Sequence, residues 1–185
     1  MNQSQILFTG GSGLLGGEFR KKLPEVLYPA SSEFDICNFE QMDKFLEGKN
    51  VNLIVHAAAF TSPPKIDEDP LNGIDSNIIG TANVVKVCMK HNMRLIYIST
   101  DYVFEGDKGN YSESDPVNPQ NKYAISKLGG ECAVRMYDNS LIVRTSFGPN
   151  EFPYPKAFID QWTSRESANG ISDKIIALLD KDATG

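Results

Sequence analysis

The chain has 185 residues, of which 41% are hydrophobic, and a formal net charge of −6 at pH 7. That length allows one well-buried core with a small appendage, but not two full domains. The acidic balance argues against a nucleic-acid partner, because a surface that binds a phosphate backbone needs basic groups to displace counterions.

The three cysteines, Cys37, Cys88 and Cys132, lie far apart and show no C-x-x-C spacing. An odd number of cysteines cannot be fully paired within one chain, which predicts reduced thiols and a cytoplasmic location. The N-terminal residues lack the basic and long apolar segments of a signal peptide. No apolar run reaches transmembrane length, so we predict no membrane partner. No metal site is predicted either.

Short apolar runs alternate with segments of helical period between Gln5 and Arg144. This alternation predicts an α/β fold with a Rossmann-type, doubly wound parallel sheet. The candidate strands are residues 5–9, 25–28, 53–56, 94–99 and 141–144. One helix is predicted at residues 39–46 with Asn38 as its N-cap. A longer helix is predicted from the three- and four-residue spacing of Ile74, Ile78, Ala82, Val85 and Met89.

The alternation ends after Arg144, where three prolines precede an aromatic and polar stretch and then a modest helix at residues 171–179. We therefore predict a dinucleotide-binding Rossmann domain over residues 1–147. Residues 148–185 would form a small, shortened C-terminal substrate lobe.

Three glycines follow the first predicted strand at G-x-x-G-x-x-G spacing. Gly10 permits a tight turn, Gly13 lets backbone amides approach a pyrophosphate, and Gly16 lets the next helix lie close to the sheet. The helix start, at Leu14 and Leu15, offers unpaired amides and a positive dipole end to phosphates. A glycine-rich turn alone is often only a turn, but the strand before it and the helix after it predict a dinucleotide site.

The end of the second predicted strand bears on the choice of cofactor. An NAD site usually has an acidic residue there for the ribose 2′-hydroxyl, whereas this chain continues from Tyr28 into Pro29 and Ala30. Ser31 and Ser32 can donate hydrogen bonds to a 2′-phosphate, which slightly favours NADP(H) over NAD(H), although no neighbouring arginine decides the matter.

Asp35 and Ile36, a few residues further on, are candidate contacts for the adenine. Asp35 is closer to the expected position of the adenine than to that of the ribose. An ordinary loop aspartate is the alternative interpretation of this residue.

Tyr123 and Lys127 stand four residues apart, which places them on one face of a helix. An adjacent ammonium would lower the pKa of the tyrosine from about 10 toward the working pH. Such a tyrosine can give a proton to a carbonyl oxygen that becomes an alkoxide. The lysine could also hold the nicotinamide ribose. Exposed helix faces often carry both residues, so the pair indicates a catalytic site only together with the neighbouring motifs.

Thr100 closes the strand of residues 94–99, at the edge where open α/β sheets bind ligands, and can hydrogen-bond a reacting carbonyl. Ala57, Ala58 and Ala59 follow the preceding strand, and their small side chains leave room for a cofactor across the sheet. We interpret His56 as a residue whose hydrogen-bonding groups are satisfied at a strand end, rather than as a catalytic residue.

These features together resemble the extended short-chain dehydrogenase/reductases, and within them the dTDP-4-dehydrorhamnose reductase group. The resemblance spans roughly residues 5–165. The matching segments are residues 9–16, 56–61, 77–81, 99–104, 123–131 and 143–146.

The resemblance implies a mechanism and roles for particular residues. Thr100, Tyr123 and Lys127 would form a catalytic triad, and Asn77 would complete a proton relay. Thr145 and Ser146 would lie near the nicotinamide. The implied reaction is hydride transfer from NADP(H) to C4 of a 4-keto-6-deoxy nucleotide sugar, with the tyrosine as acid. Dehydration is disfavoured, because Thr-Asp-Tyr stands at residues 100–102 where related dehydratases carry Thr-Asp-Glu.

Lys156, Trp162 and Arg165 are candidate contacts for the phosphates, base or sugar of a nucleotide-sugar substrate. Surface charge and a tryptophan in the core of the lobe explain them equally well. Members of the group usually continue beyond this length, so the pocket would be reshaped, incomplete or completed by another copy in a homo-oligomer. Two other functions stay open: a nucleotide-sugar epimerase and a non-catalytic cofactor-binding regulatory subunit.

Overall fold

A four-stranded parallel sheet forms the centre of the molecule. The computed structural model describes residues 2–152, 155–156 and 163–185. The strands, in spatial as well as chain order, are β1 (Ile6–Thr9), β2 (Leu53–His56), β3 (Arg94–Thr100) and β4 (Ser140–Thr145). Because all pairs are parallel, the strands end at one common edge of the sheet. The predicted parallel sheet is confirmed.

The strand predicted at residues 25–28 is much reduced in the structure. It makes a single parallel bridge between Leu7 and Leu27, on the side of β1 away from β2. Two hydrogen bonds hold it, from the Phe8 amide to the Leu27 carbonyl (2.8 Å) and from the Leu27 amide to the Ile6 carbonyl (2.9 Å). Pro29 has no amide hydrogen to extend such a ladder. The segment nevertheless brings Tyr28 beside the end of β1.

Helices cover both faces of the sheet, which gives the predicted doubly wound arrangement. They are α1 (Leu14–Lys22), α2 (Phe39–Leu46), α3 (Pro63–Glu68), α4 (Leu71–Gly73), α5 (Thr81–His91), α6 (Lys122–Val134) and α7 (Ala168–Leu178). On one face, Phe8 packs with Phe19 of α1 and Ile175 of α7. On the other, Leu7 lies in a core that includes Met42 of α2 and residues of α5 and α6. None of the helices in the described part of the chain is long and apolar enough to cross a membrane.

The helix predicted around residues 74–89 contains an unexpected irregularity. Between α4 and α5 the backbone is a π-helix, Ile74–Gly80. Ile74 and Met89 are consequently 41% and 52% exposed, whereas Asn77 is fully buried. A π-helix turns more slowly than an α-helix, because its hydrogen bonds join residues five apart. Apolar residues at three- and four-residue spacing therefore do not stay on one face, and the predicted stripe is wrong at its two ends.

The segment after β4 contains a short parallel pair, β5 (Phe147–Gly148) and β6 (Glu166–Ser167), which leads into α7. The buried side chains of Ile171 and Ile175 join the core around β1 and α1. Helix α7 therefore packs in a layer that covers the sheet. The domain division at residue 147 stays a prediction.

Candidate active site

The glycine loop after β1 requires glycine at two positions for steric reasons. Gly10 has a φ of +77°, and a Cβ there would lie 2.8 Å from the Ala58 amide nitrogen. A Cβ on Gly16 would lie 2.6 Å from the Gly10 carbonyl oxygen, so the start of α1 packs directly on the loop. Gly13 is exposed and has no side chain to cap α1, so it leaves the first amides of the helix open to an anion. This geometry fits the diphosphate of a dinucleotide.

Substitution of Gly16 by alanine is expected to weaken NADPH and NADH binding together, because the new methyl group would displace the Gly10 carbonyl and with it the loop. Gly17→Ala is the matched control. A Cβ at Gly17 meets nothing within 4 Å, and alanine favours a helix over glycine by about 1 kcal/mol. Calorimetric titration of both cofactors tests the pair, and equal affinities in the two variants would contradict the proposed loop.

His56 links the ends of β1 and β2 to helix α5. Its Nδ1 lies 2.8 Å from the Thr9 hydroxyl, which also accepts the Ala58 amide at 3.1 Å. Its Nε2 lies 3.1 Å from the Thr81 hydroxyl. Burial lowers the pKa of His56 to about 3, with a smaller effect from the Lys127 charge. Both ring nitrogens of this neutral imidazole are therefore occupied, which agrees with a structural role at the strand end.

Asn77 fixes the chain that follows the three alanines at residues 57–59. Its Oδ1 accepts the Phe60 amide at 2.8 Å, and its Nδ2 donates to the Phe60 carbonyl at 3.0 Å and to the Ser126 hydroxyl at 2.9 Å. Ser126 in turn donates to the Tyr123 carbonyl at 2.7 Å. The amide side chain thus joins the β2 edge to the helix that carries the tyrosine. Its contacts describe a positioning residue, and the proton-relay role stays a prediction.

Thr100 and Tyr123 meet at the carboxyl edge of the sheet. Thr100 is the last residue of β3 and pairs in register with Thr145, the last residue of β4. Burial raises the pKa of Tyr123 to about 12, against a hydrogen bond with the Thr100 hydroxyl and with a further rise from the Asp101 charge. The predicted lowering of this pKa is wrong for the structure as it stands. The phenol keeps its proton at neutral pH.

Lys127 is nearly inaccessible, with 2% of its surface exposed. Its ammonium donates to the Ile98 carbonyl at 2.8 Å and lies 4.1 Å from the centre of the Tyr97 ring. Burial lowers the pKa of Lys127 to about 7, while the Glu131 carboxylate opposes this shift. The ammonium is thus bonded to strand β3, which explains why it does not dominate the pKa of Tyr123.

A buried ion pair behind this site is missing from the sequence-based prediction. The guanidinium of Arg144 donates to both Glu131 oxygens, at 3.1 and 3.3 Å from Nε and 2.8 Å from Nη2. Ser99 donates to the same carboxylate at 2.5 Å. An arginine in an otherwise apolar strand, and a glutamate four residues after Lys127, are the signals that could have indicated it. The pair ties α6 to the ends of β3 and β4.

The other predicted cofactor contacts lie along the same edge. Ser31 is exposed in the turn after Tyr28. The carboxylate of Asp35 accepts the Cys37 amide at 2.9 Å, and the Ile36 side chain approaches Gly80 of the π-helix. At the opposite end, the Ser146 carbonyl accepts the Glu166 amide at 3.0 Å. Adenine, diphosphate and nicotinamide contacts are therefore predicted on one continuous edge.

The three candidate substrate residues are only partly described. Lys156 is exposed, and Trp162 lies outside the described residues. Arg165 is exposed and its guanidinium packs against Gly148, where a Cβ would lie 2.5 Å from it. The adjacent Ser164 donates to the Asp101 carboxylate at 3.1 Å, beside Thr100. This contact brings the chain before β6 next to the catalytic candidates.

Comparison with known proteins identifies the family. The family described as RmlD substrate binding domain matches residues 4–177. The chain belongs to this family. The resemblance to the RmlD-like group of extended short-chain dehydrogenase/reductases is thereby confirmed.

Three relatives illustrate the similarity. The dTDP-4-dehydrorhamnose reductase of Aggregatibacter actinomycetemcomitans is 31% identical over 181 residues, which cover 93% of this chain and 62% of that protein. The crystal structure of the Bacillus anthracis dTDP-4-dehydrorhamnose reductase in complex with NADP has a TM-score of 0.89 at 27% identity, over 100% of this chain and 74% of that one. The methionine adenosyltransferase 2 subunit beta of Rattus norvegicus is 30% identical over 141 residues, 70% of this chain and 42% of that protein. The chain thus spans less than two thirds of the length of the Aggregatibacter and Rattus proteins.

Proposed function

We propose that this chain carries the cofactor site and the acid catalyst of an NADP(H)-dependent reductase of a 4-keto-6-deoxy nucleotide sugar. The observation that carries the proposal is the meeting of Thr100 and Tyr123 at the sheet edge that also holds the glycine loop. The similarity to two dTDP-4-dehydrorhamnose reductases, one of them in complex with NADP, supports the substrate class and the cofactor.

A dinucleotide held at the glycine loop of Gly10, Gly13 and Gly16 would supply the hydride. Tyr123 serves as the acid, because its raised pKa keeps the phenol protonated until an alkoxide develops within reach. Thr100 orients the carbonyl at C4 through its hydroxyl group. Lys127 fastens α6, and with it Tyr123, to β3 through the Ile98 carbonyl, and Asn77 keeps the residues after β2 in place through Phe60. A proton passes from the Tyr123 oxygen to the sugar oxygen, and the tyrosine recovers it from solvent.

NADPH oxidation with a panel of 4-keto-6-deoxy nucleotide sugars tests this function. Turnover on one of them, with the 4-hydroxy sugar as product, is the expected result. An epimerase would instead convert its sugar without consuming NADPH, so product analysis with and without added cofactor separates the two reactions.

A non-catalytic cofactor-binding subunit is the second candidate. The similarity to methionine adenosyltransferase 2 subunit beta favours it. Tight binding of NADPH, measured by calorimetry, with no conversion of any sugar in the panel would support this candidate and reject the reductase. Absence of binding of both NADPH and NADH would reject both.

A further inference from the structure

Helix α1 ends in three consecutive basic residues whose surroundings differ. The Lys21 ammonium lies 2.7 Å from the Glu18 carboxylate, and the Lys22 ammonium lies 2.7 Å from the Asp173 carboxylate. Arg20 has no carboxylate within salt-bridge distance among the residues that the structure describes. Its guanidinium carbon instead lies 4.4 Å from the centre of the Tyr28 ring. Of the three cations, Arg20 keeps its charge available to a ligand.

The position of this guanidinium is defined from two sides. Its Nη2 atom lies 3.2 Å from the point where a Cβ of Gly11 would be, and the Tyr28 ring approaches the same point to 3.1 Å. Gly11 belongs to the glycine loop, and Tyr28 is where the 25–28 segment ends beside β1. In a dinucleotide site of this topology, the ribose of the adenosine half lies between the loop and the end of that segment.

The cation is also held in a favourable orientation. One face of its guanidinium stacks on an aromatic ring, which stabilises the charge and restricts the side chain. The N–H groups around its rim are the donors that match a phosphate in a bidentate manner. A phosphate at this point would therefore meet an ordered charge.

The acidic residues of the nearby turn accept hydrogen bonds from backbone amides of the turn itself. The Glu33 carboxylate accepts the Ala30 amide at 3.0 Å, and the Asp35 carboxylate accepts the Cys37 amide at 2.9 Å. Ser31, which precedes both acidic residues, is exposed. The described surroundings of the turn thus combine one available cation with carboxylates that are already hydrogen-bonded.

We propose that Arg20 binds the 2′-phosphate of NADP(H) and sets the preference for NADP(H) over NAD(H). The proposal rests on the proposed cofactor site, and it adds the residue that recognises the 2′-phosphate. It predicts a cofactor-specific effect, because NAD(H) carries a hydroxyl at the same position.

The test compares Arg20→Gln with Lys21→Gln, a neighbouring variant that removes an equal charge outside the proposed contact. Calorimetric titrations use NADPH, NADH and two nicotinamide-free probes, 2′,5′-ADP and 5′-AMP. Arg20→Gln is expected to weaken NADPH and 2′,5′-ADP by about 10- to 100-fold, the value of a hydrogen bond to a charged group. NADH and 5′-AMP should keep their affinities, and Lys21→Gln should change none of the four.

Arg20→Lys checks that charge and geometry both contribute. It retains the cation but loses the planar fork, so an intermediate affinity for 2′,5′-ADP is expected. Unchanged NADPH binding in Arg20→Gln, or an equal loss for NADPH and NADH, would overturn the role of Arg20 and leave the reductase proposal standing. If the unaltered chain binds neither dinucleotide, the proposed function fails as well.

Discussion

Replacement of Tyr123 by phenylalanine is expected to lower kcat for sugar-dependent NADPH oxidation by about 10²- to 10⁴-fold, the usual contribution of a positioned general acid. The substitution removes one oxygen and retains the ring. The edge-to-face contact with Tyr102, at 6.4 Å between ring centres, can therefore persist. Cofactor affinity should change little, because the glycine loop is untouched. Steady-state kinetics with calorimetry of NADPH separates the two effects.

Tyr102→Phe is the matched control for this experiment. Tyr102 is 49% exposed and its ring contacts that of Tyr123, so the same atom is removed from the neighbouring ring. Its kcat should stay at the level of the unaltered chain. A Tyr123→Phe variant with full turnover would show that another group protonates the sugar oxygen, and equal losses in both variants would indicate a structural effect of the phenol pair.

The fold could be predicted where local pattern and burial agree. Near-continuous apolar runs give strands covered on both faces, and β1 to β4 appear where those runs are. Asn38 caps α2 as expected, with its side chain accepting the Gln41 amide at 3.0 Å. The π-helix was not predicted, and the hydrogen bonds of its buried Asn77 are tertiary. Asn77 is held by Phe60 and Ser126, which come from other parts of the chain.

The candidate site could be predicted in position but not in protonation. Spacing put Tyr123 and Lys127 on one helix face, and strand order put Thr100 at the edge. The direction in which the pKa of Tyr123 shifts depends on burial and on where the lysine ammonium points. Neither is visible in a spacing pattern. Burial of the phenol is the larger cause, and the bond from Lys127 to the Ile98 carbonyl directs the ammonium to β3.

The ion pair between Arg144 and Glu131 leads to the largest expected effect on stability. The carboxyl side chain is 1% exposed and the guanidinium side chain 13%. Removal of one partner of a buried pair leaves an uncompensated charge and costs about 3–5 kcal/mol. Arg144→Met should therefore lower the free energy of unfolding by about that amount. Ser99 and the charge of Lys127 remain near the carboxylate and moderate the loss.

The double variant Arg144→Met, Glu131→Met gives the decisive comparison. It removes both charges, so its loss in unfolding free energy should be much smaller than the sum of the two single losses. Denaturant unfolding of the four proteins measures this difference. Additive losses would mean that the two side chains act independently, despite the contacts between Nη2 and the carboxylate. Non-additive losses would show that α6, with its tyrosine and lysine, is fastened to β4 by one charge pair, so that the catalytic helix depends on a contact that lies outside the predicted site.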